Sequence, residues 1–152
     1  RYRRGLYTFW RRTVPYPSMA AFDAPSRETC SLRRIRTNTP LQAFVTMNDP
    51  VYVEAAQALA RRIVKEGGDS NSSRLKFALE LCLCRPAASE QIVSLSQLFD
   101  NQRSHYEKDG PAAIALATDP LGPLPKDMPA ADLAAWTVVA NVLLNMDAVL
   151  SR

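Results

Sequence analysis

A chain of 152 residues, 47% hydrophobic and 22% charged, is long enough for one core, too short for two ordinary domains and too apolar to stay disordered. Its net charge of +4 is unevenly placed: residues 1–36 hold nine arginines against Asp23 and Glu28, giving +7, while residues 37–152 come to −3. A single histidine, three cysteines and no Cys-x-x-Cys-His string exclude a haem with two imidazole ligands, a His-rich metal centre and covalent haem attachment within this chain.

The opening residues carry half of the twelve aromatics, all within the first 22 positions. Residues 3–13 read as a short helix, or as the end of one, stopped by Val14-Pro15-Tyr16-Pro17, whose two prolines favour an extended path. Ser18–Phe22 adds a helical turn, and Asp23-Ala24-Pro25-Ser26 reads as a turn. From Val14 to Asn38 the expected structure is ordered but irregular, packed down by Phe22 and the aromatics before it.

Helix signals then become strong. Thr39-Pro40 with Gln42 three residues after the threonine is a capping box with proline at the first helical position. Asn48-Asp49-Pro50 ends that helix and opens a second one running to Lys65, so two helices meet at a corner. In the second, Tyr52, Ala55, Ala56, Leu59 and Ile63 are expected on the core face, and Glu54, Gln57, Arg61 and Lys65 in solvent.

Gly67-Gly68 closes this helix, and a serine-rich turn caps the next, from about Arg74 to Cys84. That helix is apolar except for Lys76 and Glu80, which makes it the expected most buried element. Arg85-Pro86 breaks it. Ser89–Lys108 follows, with Ile92, Leu95, Phe99 and Tyr106 on one side, and Gly110-Pro111 ends it. Pro111–Thr118 reads as an alanine-rich helix, residues 119–129 as a proline-rich surface loop, and Ala130–Leu150 as the last helix. The apolar run in that helix spans about a dozen residues against the ~20 a bilayer needs, so a buried core helix is predicted.

The expected fold is therefore all-α: an irregular bundle of five to six helices with a long N-terminal segment. Residues 1–38 form the arginine and aromatic segment and 39–152 the helical body, in one domain. Cys82 and Cys84 lie two apart in a helix, poorly placed to bond each other, and core packing is their expected role. His105 reads as a surface histidine, and Cys30 as structural or incidental. No phosphate-cradling glycine loop occurs. The residues left to carry chemistry are Arg27, Glu28, Arg33, Arg34, Arg36 and Asn38. Guanidinium groups bind anions in planar, bidentate fashion, and for the same reason they can pin an irregular segment to carboxylates and carbonyls.

Leu6-Tyr7-Thr8-Phe9-Trp10-Arg11-Arg12-Thr13, Phe22-Asp23-Ala24-Pro25-Ser26-Arg27-Glu28-Thr29-Cys30, Arg36-Thr37-Asn38-Thr39-Pro40-Leu41-Gln42-Ala43 and Asn48-Asp49-Pro50 carry a resemblance. So do Ala134-Ala135-Trp136-Thr137 and Leu143-Leu144-Asn145-Met146-Asp147. The chain resembles the Planctomycete-specific C-terminal domain of unknown function found in large proteins that often also carry a cytochrome-c-like domain. It departs from that pattern at Ala87-Ala88-Ser89, where related sequences have a Thr-Pro-type helix start. The resemblance implies an exported bacterial protein, periplasmic or at the cell surface, linked to haem elsewhere in the polypeptide. It also implies that this chain, which opens on Arg1 without a methionine, is the C-terminal part of a longer family domain. No catalytic residues follow from it.

Three functional readings result. The first is a non-catalytic helical packing or docking module, partnered by upstream domains of the same polypeptide, with no cofactor, metal or membrane span in this segment. The second is binding of an acidic polymer through the arginines, with sulfated polysaccharide ahead of nucleic acid. The third is an enzyme site completed by upstream residues, to which Arg27, Glu28, Arg34 and Asn38 would contribute.

Overall fold

The computed structural model describes residues 5–11, 13–26, 28–33, 37–126 and 128–150. The described residues form an all-α bundle with no strand; an isolated bridge pairs Arg11 with Val14. The helices are α1 (Pro17–Ala21), α2 (Pro40–Asn48), α3 (Pro50–Glu66), α4 (Asn71–Leu83), α5 (Ser89–Lys108), α6 (Gly110–Thr118), α7 (Ala130–Leu144) and α8 (Asp147–Leu150). Six of them, α2 to α7, are the bundle the sequence implies, and α1 and α8 are single turns at its ends.

Local chemistry sets most boundaries. Thr39 accepts a hydrogen bond from the Gln42 N–H, and Gln42 Oε1 accepts one from the Thr39 N–H at 3.1 Å, which starts α2. Such a cap contributes about 1 kcal/mol. Asp49 both ends α2 and caps α3 by accepting from the Val51 N–H at 2.9 Å. Ser70 caps α4 through the Ser73 N–H. The α3–α4 turn is closely fitted: a Cβ on Gly67 would lie 2.5 Å from the Ile63 carbonyl oxygen and 2.8 Å from Arg74 Cα. Gly68 has φ +87°, a conformation that favours glycine.

Three expectations are corrected here. Within 3–13, only Gly5–Tyr7 forms a turn, of 3₁₀ type; residues 3, 4 and 12 lie outside the described set. Thr8, Phe9 and Trp10 are indifferent helix formers, and the prolines at 15 and 17 leave no length for a second turn. The expected helix after Gly110-Pro111 does form, as α6, because proline fits the first turn and Asp109 caps it by accepting from the Ala112 N–H at 3.1 Å. The last helix stops at Leu144, where Asn145 departs from helical geometry with ψ 2°, and α8 restarts at Asp147.

The third concerns the core. It is α7, not α4, that lies at the centre: Leu133 to Thr137, Val139, Ala140 and Leu143 are all buried. α7 packs against α3, α5 and α6. Trp136 stacks on Phe99 of α5 with ring centroids 4.6 Å apart. α4 still contributes Leu75, Ala78, Leu79 and Leu83 but exposes Lys76 and Glu80. Among the described residues, no helix is long and apolar enough to cross a membrane.

Candidate functional site

The arrangement that sets this molecule apart is α2, which is built inside out. Leu41, Phe44 and Met47 are 61%, 64% and 49% exposed, while Gln42 and Thr46, one turn apart, are 1% and 3% exposed. A helix ordinarily turns its apolar stripe inward. Here the inward stripe is polar, and each of its groups is used. Gln42 Nε2 donates to the Ala21 carbonyl at 2.9 Å and to Thr37 Oγ1 at 3.1 Å. Thr46 Oγ1 lies 2.9 Å from the Ala43 carbonyl and 2.8 Å from Asn145 Oδ1, and Asn141 Nδ2 donates to the Thr46 carbonyl at 3.4 Å. The hydroxyl has one proton to share among these acceptors.

These bonds join three pieces of chain: the irregular N-terminal segment, α2 and the end of α7. Asp23, at φ +57°, accepts from the Thr37 N–H at 2.8 Å and from Thr37 Oγ1 at 2.7 Å. Asn38 Nδ2 donates to Asp147 Oδ1 at 2.8 Å, reaching α8. Ser18 Oγ donates to Asp49 Oδ2 at 3.1 Å, and the Phe22 ring packs on Tyr52 with centroids 5.8 Å apart. Burial, then the charges of Asp49 and Tyr16, push the Tyr52 hydroxyl above its ordinary pKa of 10.0. The segment is thus clipped to the body by polar ties and one aromatic contact.

A second tie fastens the other long connection. Gln57, fully buried on α3, donates Nε2 to the carbonyls of Leu116 and Asp119 at 2.6 and 2.7 Å and accepts from the Leu121 N–H at 3.0 Å. One turn on, Arg61 donates to the carbonyls of Ala117 and Gly122 at 3.2 and 2.7 Å. Its Nε is buried without a partner. This corrects the expected faces of α3 in part: Ala56 and Ile63 are buried and Lys65 exposed as expected, but Glu54 and Gln57 are buried and Arg61 half-buried, while Ala55 is exposed. The last turn of α6 and the proline-rich connection after it hold carbonyls that lack intrahelical partners, and long polar side chains on the neighbouring helix satisfy them.

Of the six candidate residues, Arg27, Arg34 and Arg36 lie outside the described set. Glu28 and Arg33 are exposed on the irregular segment, and only local bonds are seen there: the Glu28 N–H to Ser26 Oγ at 3.4 Å and Ser31 Oγ to the Arg33 carbonyl at 3.3 Å. Among the three described candidates, Asn38 is the one built into a tertiary tie. The expected packing by the N-terminal aromatics holds for Phe22 but not for Tyr7 and Phe9, which are 62% and 84% exposed. Sequence reasoning missed Gln42, Thr46, Gln57, Arg61, Asn141 and Asn145. The signal was there for Gln42 with Thr46 and for Gln57 with Arg61, each pair spaced four residues apart on one helix; Asn145 lies just past the end of α7.

Cys30, Cys82 and Cys84 are free thiols. Burial, and then Cys84 beside it, pushes the Cys82 thiol up, away from reactivity at neutral pH. His105 is exposed on α5 with its ring edge on Tyr106. Among the described residues no group of three or more His, Cys, Asp or Glu side chains is placed to hold a metal ion.

The sequence pattern of the PSD1 family, proteins of unknown function (DUF1553), matches residues 1–99. The chain belongs to this family. The PSD1 match takes in the clipped segment, α2 to α4 and the first half of α5, and so includes the inverted helix and Asn38. No curated protein and no solved structure matches the chain.

Proposed function

We propose that this chain is a non-catalytic helical docking module of a larger exported bacterial protein, one that carries a haem domain elsewhere in its polypeptide. The inverted α2 carries the reading. Its polar residues are spent on holding the N-terminal segment to the bundle, and its apolar residues are left facing outward, the disposition of a helix that serves as a contact surface. The ties made by Gln57 and Arg61 point the same way, since their polar groups bond backbone carbonyls rather than converge on a shared space.

Limited proteolysis with an arginine-specific protease tests it. The clipped segment, which holds Arg27 and Arg33, should be cut between Val14 and Asn38 more slowly than an unstructured peptide of that sequence. Gln42→Ala should speed cutting severalfold. Equal rates for chain and peptide would show that the segment is not held, and would remove the reading.

The exposure of Arg11 and Arg33 favours a second reading, binding of an acidic polymer such as a sulfated polysaccharide. Affinity for heparin should then fall steeply with salt and fall further in the Arg33→Ala, Arg34→Ala double variant.

A further inference from the structure

Exposed apolar side chains are concentrated in the first third of the chain. Of the thirteen large hydrophobic residues exposed among the described residues, ten lie between Leu6 and Val51. They come from separate pieces of chain, represented by Leu6, Phe9, Leu32, Leu41, Phe44 and Met47. The 3₁₀ turn, α1 and α2 sit together. A Cβ on Gly5 would meet Met19 Cε at 2.8 Å, α1 packs on α2, and Phe22 packs on Tyr52.

The same stretch is cationic. Residues 1–53 contain nine arginines, no lysine and three carboxylates. Two of those carboxylates are committed: Asp23 to Thr37, and Asp49 to Ser18 and the Val51 N–H. Arg11 and Arg33 are exposed. A stretch this apolar, aromatic and rich in arginine calls for an anionic counterpart. A second copy would bring two such cationic faces together, which like-charge repulsion opposes. A folded protein partner would need one fixed shape matching side chains that project from a 3₁₀ turn, a bend and a helix. A lipid surface deforms around each of them.

We propose that this end of the chain docks on the surface of an anionic phospholipid bilayer. Leu41, Phe44 and Met47 enter the boundary between headgroups and acyl chains, and the exposed aromatics sit at headgroup level. The arginines pair with lipid phosphates. Because Gln42 and Thr46 fasten α2 from beneath, this helix does not have to fold on arrival as a free amphipathic peptide does. The proposal rests on the same outward face of α2 as the docking-module reading and names its occupant; proteolysis tests whether the segment is held, and vesicle binding tests the occupant.

Co-sedimentation of the full chain with vesicles decides it. At about 0.1 M salt, binding to vesicles of phosphatidylglycerol mixed with phosphatidylcholine should exceed binding to pure phosphatidylcholine at least tenfold, because the face is cationic. The Phe44→Asp, Met47→Asp double variant should lose about tenfold or more of that binding while unfolding at the same temperature, as both residues are exposed. Val93→Asp, an exposed apolar site on α5, should bind like the parent chain. Failure to bind anionic vesicles overturns the proposal. So does heparin binding without vesicle binding, equal in parent and double variant, which assigns the arginines to an acidic polymer. A dimer abolished by Phe44→Asp would give the face to a second copy and overturn it too.

Discussion

The two ends of this bundle solve opposite problems with similar helices. Around α7, apolar residues face one another and polar ones face water, and Leu75, Phe99, Leu133 and Trp136 close on a common core. Around α2, polar residues face inward and apolar ones outward. The first arrangement is stabilised by area removed from water, which is non-directional. The second rests on individual hydrogen bonds, which are directional and expensive to leave half made. The difference implies that the α7 end sets how stable the protein is, and the α2 end sets where the N-terminal segment lies.

Four substitutions sharpen or break that contrast. Trp136→Ala should be the most damaging, costing about 3–5 kcal/mol in denaturant unfolding, because it leaves a cavity beside Phe99. Gln57→Leu should cost less, about 1–3 kcal/mol, by orphaning the Leu116 and Asp119 carbonyls and the Leu121 N–H. A loss equal to that of Trp136→Ala would place the stability centre in the connection instead. Gln42→Ala should cost about 1–2 kcal/mol and show itself mainly as faster proteolysis of residues 14–38, with hydrogen exchange in α5 and α7 unchanged. If exchange in α7 rose in step, the two ends would be one cooperative unit. Phe44→Ser should change stability by no more than about 0.5 kcal/mol.

The smallest effect is in alkaline pH. The Tyr52 hydroxyl has a raised pKa in the folded state, so the neutral form is favoured there. Its contribution is fully present below the ordinary value of 10.0 and is lost as pH rises through the higher folded value. Tyr106 is shifted in the same direction by burial and then by Asp109. A pH series of thermal unfolding should therefore fall less steeply above pH 10 for Tyr52→Phe than for the parent chain.

The backbone plan was legible because its signals are local. Thr39-Pro40 with Gln42, Asn48-Asp49-Pro50, Gly67-Gly68 and Ser89–Lys108 each act within a few residues, and the structure places helix ends there. The side-chain faces were less legible because they depend on what lies across from them. Gln57 reads as a solvent residue until the 116–122 connection is known to pass over it. Asn145 likewise meets a partner outside α7, since its side chain reaches Thr46 across the bundle. Of the candidate site, Asn38 was recognised as a polar residue of note, but its tie to Asp147 spans 109 positions and no local pattern announces it.

Gly67 turns a small clearance into control of a long lever. With the Ile63 oxygen and Arg74 Cα within 3 Å of where a methyl would sit, α4 pivots about a point that admits no added atom. At ~1.5 Å per residue, α4 is about 20 Å long, and a tilt of about 10° at that pivot would swing its far end by some ~3 Å. Gly67→Ala should therefore register most strongly not at the turn but at Leu83 and Cys84, where a thiol-reactive probe would report a changed labelling rate.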